Sequence, residues 1–488
     1  MSLSDHPRAY GTAALTVAFA AGILVTLGFK DLYPELEGRF QRIRQARARR
    51  RRRVSTSKDP AAESRRGSLF FGGPVTLEDH ERGYGSDDDD DSSSSNGKEK
   101  ESIVDGIEGC IGNTPLVKIR SLSEATGREI LAKAEFLNGA GGSPKDRVAL
   151  NMIRSAESQG LLTPGRGDTI YEGTVGSTGI SLAALARARG YRAHICMPDD
   201  QSAEKSALLH HLGATVERVP VAPITSPHHF VNLARTRAAE HTASAATPTD
   251  SRGFFADQFE SRANAAAHEA TTGPEIWAQT GGGRLDAFVA GAGTGGTVAG
   301  VARYLKSADR KVSGRQGTLR IVLADPQGSG LYNKVRHGVM YAGATEREGT
   351  RRRSQVDSIV EGIGINRITE NFEAGRALID DAVRVTDEQA CRMARWLVEH
   401  DGIFVGSSSA VNCVAAVATA LALPPGSRVV TVLCDSGTRH LSKFWKRIGE
   451  MGLEDNDNDR DGSDPDAAEQ SGDLLSILGL SPTGTSTR

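Results

Sequence analysis

Lys145 is the residue of this 488-residue chain whose surroundings most directly indicate chemistry. It lies in the segment 141–147 (GGSPKDR), where glycines lead into a predicted helix over 146–159. A lysine at a helix start is usually a solvated surface residue. The positive end of the helix dipole, however, disfavours an ammonium and favours the neutral amine that attacks a carbonyl carbon. We therefore interpret Lys145 as a candidate Schiff-base lysine.

A second loop, 291–297 (GAGTGGT), joins a predicted strand to a predicted helix. Backbone N–H groups at a helix N-terminus bind phosphate, and two threonines add hydroxyl groups. The spacing of Gly291, Gly293 and Gly296 also fits the dinucleotide motif G-x-G-x-x-G, whose acidic residue should follow after about 20 residues. Asp325 is farther away, so that fit is loose. A purely structural turn is the other alternative.

An amine and a phosphate-binding loop together are what pyridoxal 5'-phosphate (PLP) requires of a protein. Three further features follow predicted strands: the loop 172–178, which offers an anion site at a helix N-terminus, the serines of 406–409, and the turn 434–437. In open α/β sheets ligands bind at the carboxyl ends of the strands. These loops, with 137–145 and 291–297, therefore predict one shared site.

The middle of the chain alternates short β-branched runs with amphipathic helical segments, which is typical of α/β folds with mainly parallel sheets. We predict two α/β domains with the site between them. The stretch 221–252, rich in Pro, Ser, Thr and Ala, predicts a surface insertion. The predicted strands are 130–136, 169–171, 192–197, 215–219, 287–290, 319–324, 382–385, 403–405 and 429–433.

Composition excludes few classes of function or partner, because the formal net charge is only −2. Nothing in the sequence indicates a nucleic-acid partner. The five cysteines are scattered without CxxC or any metal-ligand spacing, so we predict no metal site. Buried free thiols in a reducing compartment are the interpretation that fits them.

Residues 11–29 are 19 consecutive uncharged, mainly apolar residues, enough to span a bilayer as a helix. Nine arginines follow between 39 and 53, which places the C-terminal side in the cytosol. A cleaved signal peptide and a mitochondrial presequence are alternatives. We predict a lipid-bilayer partner through 11–29 and a single-pass mitochondrial outer-membrane protein with its catalytic domain facing the cytosol, the mitochondrial matrix or the ER membrane being the alternatives.

The ends of the chain differ in composition from the middle. We predict a membrane anchor over 1–30, an Arg-rich and then acidic disordered linker over 31–101, and an acidic disordered tail over 453–488. A short apolar patch within that tail, 474–480, has no evident role. The catalytic region is predicted over 102–452, with a smaller domain at about 145–258.

Eight motifs in this order resemble the cysteine synthase and cystathionine β-synthase family of fold-type II PLP enzymes, and within it a fungal, mitochondria-associated branch. The resemblance covers roughly 103–450. The motifs are 111–117 (IGNTPLV), 141–147, 172–180, 257–260 (DQFE), 272–277 (TGPEIW), 293–297 (GTGGT), 361–364 (EGIG) and 435–437 (DSG).

The resemblance implies a role for each matching residue. Lys145 would carry the cofactor as a Schiff base and then move the α-proton of the substrate. Ser408 would face the pyridine nitrogen. The cofactor phosphate would be held by Gly293, Thr294, Gly295, Gly296 and Thr297. The substrate carboxylate would be bound by Thr174, Thr178 and Gln258, with Ser177 beside them.

Two residues depart from the family pattern Thr-Ser-Gly-Asn-Thr, since Val175 and Ser177 replace its Ser and Asn. The family Asn contacts the cofactor's 3' oxygen, so Ser177 is placed in the cofactor-binding set. The resemblance implies a homodimeric transferase of cysteine biosynthesis that makes cysteine from O-acetylserine and sulfide. A cystathionine β-synthase-like or serine/threonine dehydratase-like enzyme, and a membrane-tethered PLP-binding pseudoenzyme, remain alternatives.

Overall fold

A computed structural model describes residues 103–201, 203–313, 318–341, 356, 358–453 and 473–480. All of these residues belong to one compact unit, 98–488. Ten strands lie in these ranges and follow the alternation that the sequence predicts. They are β1 (Leu116–Lys118), β2 (Glu129–Ala134), β3 (Thr169–Gly173), β4 (Arg192–Pro198), β5 (Thr215–Val219), β6 (Gly253–Phe255), β7 (Ala287–Gly291), β8 (Arg320–Pro326), β9 (Asp381–Val385) and β10 (Arg428–Leu433).

The described strands form two sheets. The larger sheet has six strands in the order β1-β2-β10-β7-β8-β9, and the smaller has four in the order β5-β4-β3-β6. Only β1 runs antiparallel to its neighbour; the other pairs are parallel. The fold is therefore α/β with mainly parallel sheets, as predicted.

Helices cover both sheets. The described helices are α1 (Arg120–Thr126), α2 (Lys145–Ser158), α3 (Ser177–Ala188), α4 (Ala203–His211), α5 (Phe230–Ala243), α6 (Ala263–Ala267), α7 (Gly273–Gln279), α8 (Gly296–Ser313), α9 (Leu331–His337), α10 (Glu370–Arg376), α11 (Asp387–Asp401), α12 (Ser407–Leu421), α13 (Lys446–Glu450) and α14 (Leu474–Ile477). Shorter 3-10 or π turns occur at Ile107–Cys110, Glu135–Leu137, His268–Thr272, Gly437–Arg439 and Leu441–Trp445.

Local sequence explains where the main helices begin and how they pack. Thr386 and Gln389 form a capping box at the start of α11, in which each side chain binds the other residue's backbone N–H. Every residue of α12 is buried, and its small side chains let it lie close against the large sheet. Both helices contribute to the core that supports the carboxyl ends of β7 and β10.

Two predictions about secondary structure are wrong. Residues 403–405 do not form a strand; only Val405 pairs, in an isolated bridge with Ser436. Within the predicted surface insertion 221–252, α5 packs on β3, β4 and β6 through Val231, Ala234 and Ala238. Val231 and the alanines supply a small apolar face, which the Pro- and Ser-rich flanks conceal in the sequence.

The localisation prediction is contradicted. None of the described helices combines the length and apolar character needed to cross a membrane. The longest, α8, carries Arg303, Lys306, Asp309, Arg310 and Lys311. The segment 11–29, on which the prediction depended, lies outside the described residues. We therefore withdraw the single-pass outer-membrane assignment and the lipid-bilayer partner.

The predicted linker, 31–101, also lies outside the described residues. The predicted tail is described in part, and there the structure differs from the expectation. Residues 473–480 contain the short helix α14, and Leu474, Leu478 and Leu480 are buried in the core of the large-sheet half. The apolar patch noted in the sequence is thus part of the folded protein.

Candidate active site

One cavity of about 910 Å³ opens where the carboxyl ends of the two sheets face each other. Its size lies within the range of small-molecule and cofactor sites. Loops from both sheets line it. Of the site residues predicted from the sequence, it is lined by Lys145, Thr174, Ser177, Thr178, Gln258, Gly293, Thr294, Gly295, Thr297 and Ser408. Gly296 is the first residue of α8 and lies behind this surface.

Lys145 is the first residue of α2, and the residue after it fixes the glycine loop before it. The buried carboxylate of Asp146 accepts hydrogen bonds from the N–H groups of Gly141 (2.8 Å) and Gly142 (2.9 Å). It also accepts one from Ser181 Oγ at 2.6 Å. A Cβ atom at Gly141 would lie 2.6 Å from Asp146 Oδ1, so only glycine allows this approach. The loop therefore holds Lys145 in position without any ligand.

The electrostatic environment of Lys145 favours its neutral form. Burial lowers the pKa of the Lys145 amine, and Cys434 and Asp435 oppose the shift only in part. Burial also raises the pKa of the neighbouring Cys434 thiol to about 11, so that side chain is uncharged near neutral pH. A neutral amine is the nucleophilic form. The sequence prediction of a reactive amine thus agrees with the electrostatics of the cavity.

A buried charge cluster lies beneath α2. The Arg147 guanidinium pairs with Glu135 at 2.8 Å and with Glu275 at 2.6 Å. Lys133 Nζ lies 2.6 Å from Glu275 Oε2 and donates to the Thr114 carbonyl oxygen. Burial opposes ionisation of Glu275, but the hydrogen bonds from Arg147 and Lys133 hold its pKa at about 2. The charges of two basic side chains and two carboxylates balance there, and their ion pairs fix the start of α2 to the large sheet.

The loop 291–297 is packed tightly on the side that faces the protein. A Cβ at Gly293 would lie 2.3 Å from the carbonyl oxygen of Gly362, and one at Gly295 would lie 2.5 Å from Phe372 Cα. One at Gly296 would lie 1.9 Å from Asn264 Oδ1. The glycines are therefore required for packing against these neighbours.

Hydrogen bonds fix the threonines of this loop. Asn264 Nδ2 donates to Thr294 Oγ1 at 2.9 Å, and the Thr294 carbonyl oxygen accepts from Thr369 Oγ1 at 2.7 Å. Thr297 Oγ1 lies 3.1 Å from Nε2 of the fully buried His268. Burial, reinforced by the charge of Arg147, lowers the pKa of His268 well below its usual value, so the ring is neutral. The sequence analysis missed Asn264 and His268, because neither lies in a glycine-rich loop.

The loop 172–178 is supported by hydrogen bonds between buried side chains. Thr178 Oγ1 donates to Gln258 Oε1, and Gln258 Nε2 donates to Glu172 (3.3 Å) and to the Gly173 carbonyl oxygen (3.2 Å). The side-chain amide of Gln258 is thus engaged within the protein. Burial raises the pKa of Glu172 to about 8. Gln258 therefore fixes the position of Thr178, and Thr174, Ser177 and the N-terminus of α3 remain to face a ligand.

The three serines at the start of α12 have separate contacts. Ser407 Oγ accepts from the N–H of Glu361 at 3.0 Å, and Ser409 Oγ accepts from the N–H of Cys434 at 2.8 Å. Ser408 lies between them and lines the cavity. None of them caps α12 as its N-cap residue, which is Gly406.

An ion pair that the sequence does not predict joins α4 to the segment 361–364 at the cavity. Lys205 Nζ, on α4, lies 2.7 Å from Glu361 Oε2, which belongs to the EGIG segment. His440 Nδ1 lies 3.5 Å from the same oxygen, and His440 Nε2 lies 3.0 Å from Asp435 Oδ2. Burial disfavours the charge on Glu361, but Lys205 outweighs it and lowers the pKa. Residues from distant segments meet here, so no local motif could indicate them.

The residues present fit PLP. The first N–H groups of a helix have no intrahelical acceptor, and at the start of α8 they adjoin the cavity-lining Gly295 and Thr297. Lys145 faces the same cavity from α2, and burial lowers the pKa of its amine. A third helix N-terminus, that of α3, adjoins the cavity-lining Ser177. One amine and two anion-binding helix ends match a phosphorylated aldehyde and a second, carboxylate-bearing ligand.

One group of side chains in the described residues has the spacing of metal ligands. His194, Cys196 and Glu217 lie on β4 and β5 with their ligand atoms close together, and none of them lines the cavity. Arg237 lies 3.0 Å from the Glu217 carboxylate, which His194 also contacts at 3.0 Å. That carboxylate is therefore already paired, and the absence of a metal cofactor stays a prediction.

Comparison with known proteins agrees with this geometry. The family model for pyridoxal-phosphate dependent enzymes matches residues 107–435. Cysteine synthase 2 of Neurospora crassa is 69% identical over 487 residues, covering 98% of this chain and 99% of the relative. Cysteine synthase 2 of Emericella nidulans is 58% identical, covering 92% and 96%. The crystal structure of O-ureido-L-serine synthase has a TM-score of 0.59 and 30% identity, and the match covers 76% of this chain and all of that one.

These similarities confirm the predicted fold class, PLP as the cofactor and a PLP-dependent cysteine synthase as the activity. They do not test the roles of individual residues. The chain belongs to the family of pyridoxal-phosphate dependent enzymes, in the group of the cysteine synthases.

Proposed function

We propose that the protein catalyses β-replacement on O-acetyl-L-serine, in which the Cβ–oxygen bond breaks, acetate leaves, and sulfide forms the new Cβ–sulfur bond of L-cysteine. The observation that carries this proposal is the position of Lys145, whose buried amine lines a cavity that two further helix N-termini adjoin. The cysteine synthase relatives support the same reaction.

PLP, when bound through Lys145, supplies an electron sink that acidifies the α-carbon of an amino acid and so permits loss of a β-substituent. Lys145 then has a second task, which is to remove the proton from the substrate Cα. Its pKa, lowered by burial, suits an amine that must accept that proton near neutral pH. The bonds to Asp146 keep the start of α2 fixed during both tasks.

The phosphate group is assigned to 293–297. The N-terminus of α8 and the hydroxyl groups of Thr294 and Thr297 would hold it. Because Thr294 is bonded to Asn264 and Thr297 to His268, these hydroxyl groups are oriented before a ligand arrives. Neutral His268 adds no charge beside the phosphate.

The substrate carboxylate is assigned to 174–178, at the N-terminus of α3. Thr174 and Ser177 would contact it directly, and Thr178 is held in place by Gln258. Ser408 would lie at the pyridine nitrogen. A serine hydroxyl is a weaker polariser than a carboxylate, so it favours prompt loss of the β-substituent over build-up of a carbanion.

The assembly and domain boundaries proposed here follow the family resemblance. We infer a homodimer, a catalytic region over 102–452 and a smaller domain at about 145–258. The four-stranded sheet, β3 to β6, supports that smaller domain. Light scattering coupled to gel filtration would give the mass of the particle, and a monomer at working concentration would contradict the dimer.

A direct assay tests the proposed reaction. The purified protein with PLP is given O-acetyl-L-serine and sulfide, and L-cysteine and acetate are quantified. A parallel reaction replaces sulfide with homocysteine, and another contains L-serine alone. Cysteine as the main product supports the proposal. Cystathionine as the main product, pyruvate from serine, or PLP binding without turnover would each contradict it.

A further inference from the structure

We infer that Lys205 is a specificity-determining residue, whose ammonium group pairs with the carboxylate of the amino-acid substrate. The inference rests on the proposed function, which assigns that carboxylate to 174–178, and it adds a positive charge to a site made so far of hydroxyl and N–H groups. Lys205 lies on α4, lines the cavity and is only 8% exposed. A buried ammonium group needs a compensating anion, and in the structure that anion is Glu361, at 2.7 Å.

The side chain of Lys205 lies against the carboxylate loop, 172–178. Gly176 is the N-cap residue of α3, and a Cβ atom placed on it would lie 3.4 Å from Lys205 Cδ, 3.5 Å from Cε and 3.8 Å from Nζ. The ammonium group therefore adjoins the helix end at which the substrate carboxylate is assigned. An anion bound there lies close to Nζ in a partly desolvated site, where Coulomb attraction is stronger than in water.

The carboxylate loop supplies neutral donors but no positive charge. The hydroxyl group of Thr178 is used by Gln258, whose own amide is engaged within the protein. Val175 has no hydroxyl group. The donors that remain for a carboxylate are Thr174, Ser177 and the first N–H groups of α3. Lys205 supplies the charge that this set lacks.

Two other cations that line the cavity lie against different segments. Arg367 pairs with the carboxylate of Glu260. Arg439 donates to the Gly141 carbonyl oxygen, and its Nη2 would lie 3.3 Å from a Cβ atom on Gly142. These contacts place the two guanidinium groups beside 260 and beside the glycines that precede the cofactor lysine. Lys205 is placed beside the carboxylate loop instead.

Glu361 can share Lys205 with a second carboxylate. Lys443 Nζ lies 3.6 Å from Glu361 Oε1, while Lys205 pairs with Oε2 of the same group. Glu361 therefore keeps a cationic neighbour when the Lys205 ammonium group turns to the substrate. Before substrate binds, Glu361 holds the ammonium group in place, and once substrate is bound it competes with the substrate for that group.

The start of α4 is also held by a contact that does not involve Lys205. Ser442 Oγ donates to Glu204 Oε2 at 2.7 Å. Lys205→Met removes the charge and keeps an unbranched side chain, so α4 should stay in place in this variant. A change in ligand binding then reports on the charge rather than on the position of the helix.

The first experiment titrates the PLP-loaded protein with L-alanine and with L-alaninamide and follows the cofactor absorbance. The two ligands share the amine that meets the cofactor and differ in the carboxylate. In Lys205→Met the preference for L-alanine should fall by about tenfold or more, and Lys205→Arg should retain most of it. Lys443→Met, which removes the other lysine at Glu361, is the matched control and should keep the wild-type preference. An unchanged preference in Lys205→Met, or an equal loss in Lys443→Met, would overturn the inference.

Glu361→Gln separates a substrate-binding role of Lys205 from a purely structural ion pair. Because Glu361 competes for the ammonium group, Glu361→Gln should tighten L-alanine binding by about threefold. If the pair only ties α4 to 361–364, then Glu361→Gln and Lys205→Met should weaken binding alike, and that result would refute the role in substrate binding.

These titrations do not depend on the proposed reaction, because L-alanine has no group that can leave from Cβ. If O-acetyl-L-serine and sulfide give no cysteine while the preference for L-alanine still depends on Lys205, the proposed function fails and the inference about Lys205 stands. If cysteine forms and the preference does not depend on Lys205, the reverse holds.

Discussion

The two loops that face each other across the cavity are built differently. The loop 291–297 is enclosed: its glycines abut Gly362, Phe372 and Asn264, and its threonines are bonded to Asn264, Thr369 and His268. The loop 172–178 is packed closely at its start, where a Cβ at Gly173 would lie 2.5 Å from Val231 Cα, but towards α3 it depends mainly on one chain of contacts, from Thr178 to Gln258 to Glu172. Both precede a helix N-terminus, so both can bind an anion.

The difference matches the ligands assigned to them. A cofactor phosphate stays through many turnovers, so its site gains from rigid packing. A substrate carboxylate enters and leaves in each turnover, and Val175 and Ser177 of its loop are only half-buried. These two residues are the departures from the family pattern. We expect substitutions in 291–297 to affect cofactor binding and substitutions in 172–178 to affect substrate use.

The largest effect is expected for Lys145→Ala, because Lys145 connects the chemistry of both loops. Schiff-base absorbance near 410 nm, roughly where a protonated PLP Schiff base absorbs, and cysteine formation should both disappear. Borohydride reduction and peptide mapping of the wild type should place the pyridoxyl group on Lys145. Lys443→Ala, which removes another lysine at the cavity, should retain the label. A label on any other lysine would contradict the assignment.

Gly295→Ala tests whether the close packing of the loop 291–297 is needed for PLP binding. Gly295 has φ of +83°, and a Cβ there would lie 2.5 Å from Phe372 Cα, so the loop must move. Overpacking together with the backbone strain should weaken PLP binding by about a hundredfold. Gly402→Ala is the matched control, since Gly402 has φ of +66° with no atom within 4 Å of its Cβ position. PLP titration measures both, and unchanged affinity in Gly295→Ala would place the phosphate elsewhere.

Glu172→Gln tests the contacts that support the loop 172–178, which run from Thr178 through Gln258 to Glu172. Burial raises the pKa of Glu172 from 4.5 to about 8, so in that window the folded protein holds a proton that the unfolded chain has lost. Wild-type stability should therefore fall as pH rises from about 5 to 8, by an amount on the order of a few kcal/mol.

Glutamine cannot ionise, so Glu172→Gln should lose this pH dependence. Urea unfolding of both proteins at pH 5 and pH 8 measures it. The exposed Glu124 gives the control Glu124→Gln, which should keep the wild-type slope. If the slope is the same in Glu172→Gln as in the wild type, Glu172 is not the protonated group.

Ser177→Asn is expected to have the smallest effect, and it restores the family residue. If the amide reaches the cofactor's 3' oxygen, one hydrogen bond to a charged group should raise kcat/KM for O-acetyl-L-serine by about tenfold. Ser177→Ala removes the hydroxyl without adding an amide and should give no gain. A loss of activity in Ser177→Asn would mean that this loop is adapted to Ser177, and would weaken its assignment as a family-like substrate loop.

Most of the strands and five of the loops that line the cavity could be predicted from the sequence, because hydrophobic period and glycine position are local signals. The strand 215–219 was predicted with its observed bounds. A strand over 403–405 was predicted but is not observed, since a short apolar run has the same pattern whether or not a partner strand is beside it. The helix α5 was missed because its apolar face is made of alanine and valine within a Pro- and Ser-rich stretch.

The contacts that hold the site could not be predicted in the same way. His268 reaches Thr297, and Lys205 reaches Glu361, across 29 and 156 residues of sequence. Such pairs depend on how the sheets are placed, which no local pattern specifies. The same limit applies to 474–480: its leucines indicate an apolar surface, but only the arrangement of α1 and α11 shows what covers it.

The charge cluster under α2 has a consequence for how the enzyme acquires its cofactor. In this cluster every charged side chain is paired with another side chain of the protein, and no ligand takes part. The four residues are Arg147, Glu135, Glu275 and Lys133. The segment that carries Lys145 is therefore already in place before PLP arrives. Loading should then be a simple bimolecular encounter, with an observed rate that rises linearly with PLP concentration and shows no slow conformational phase.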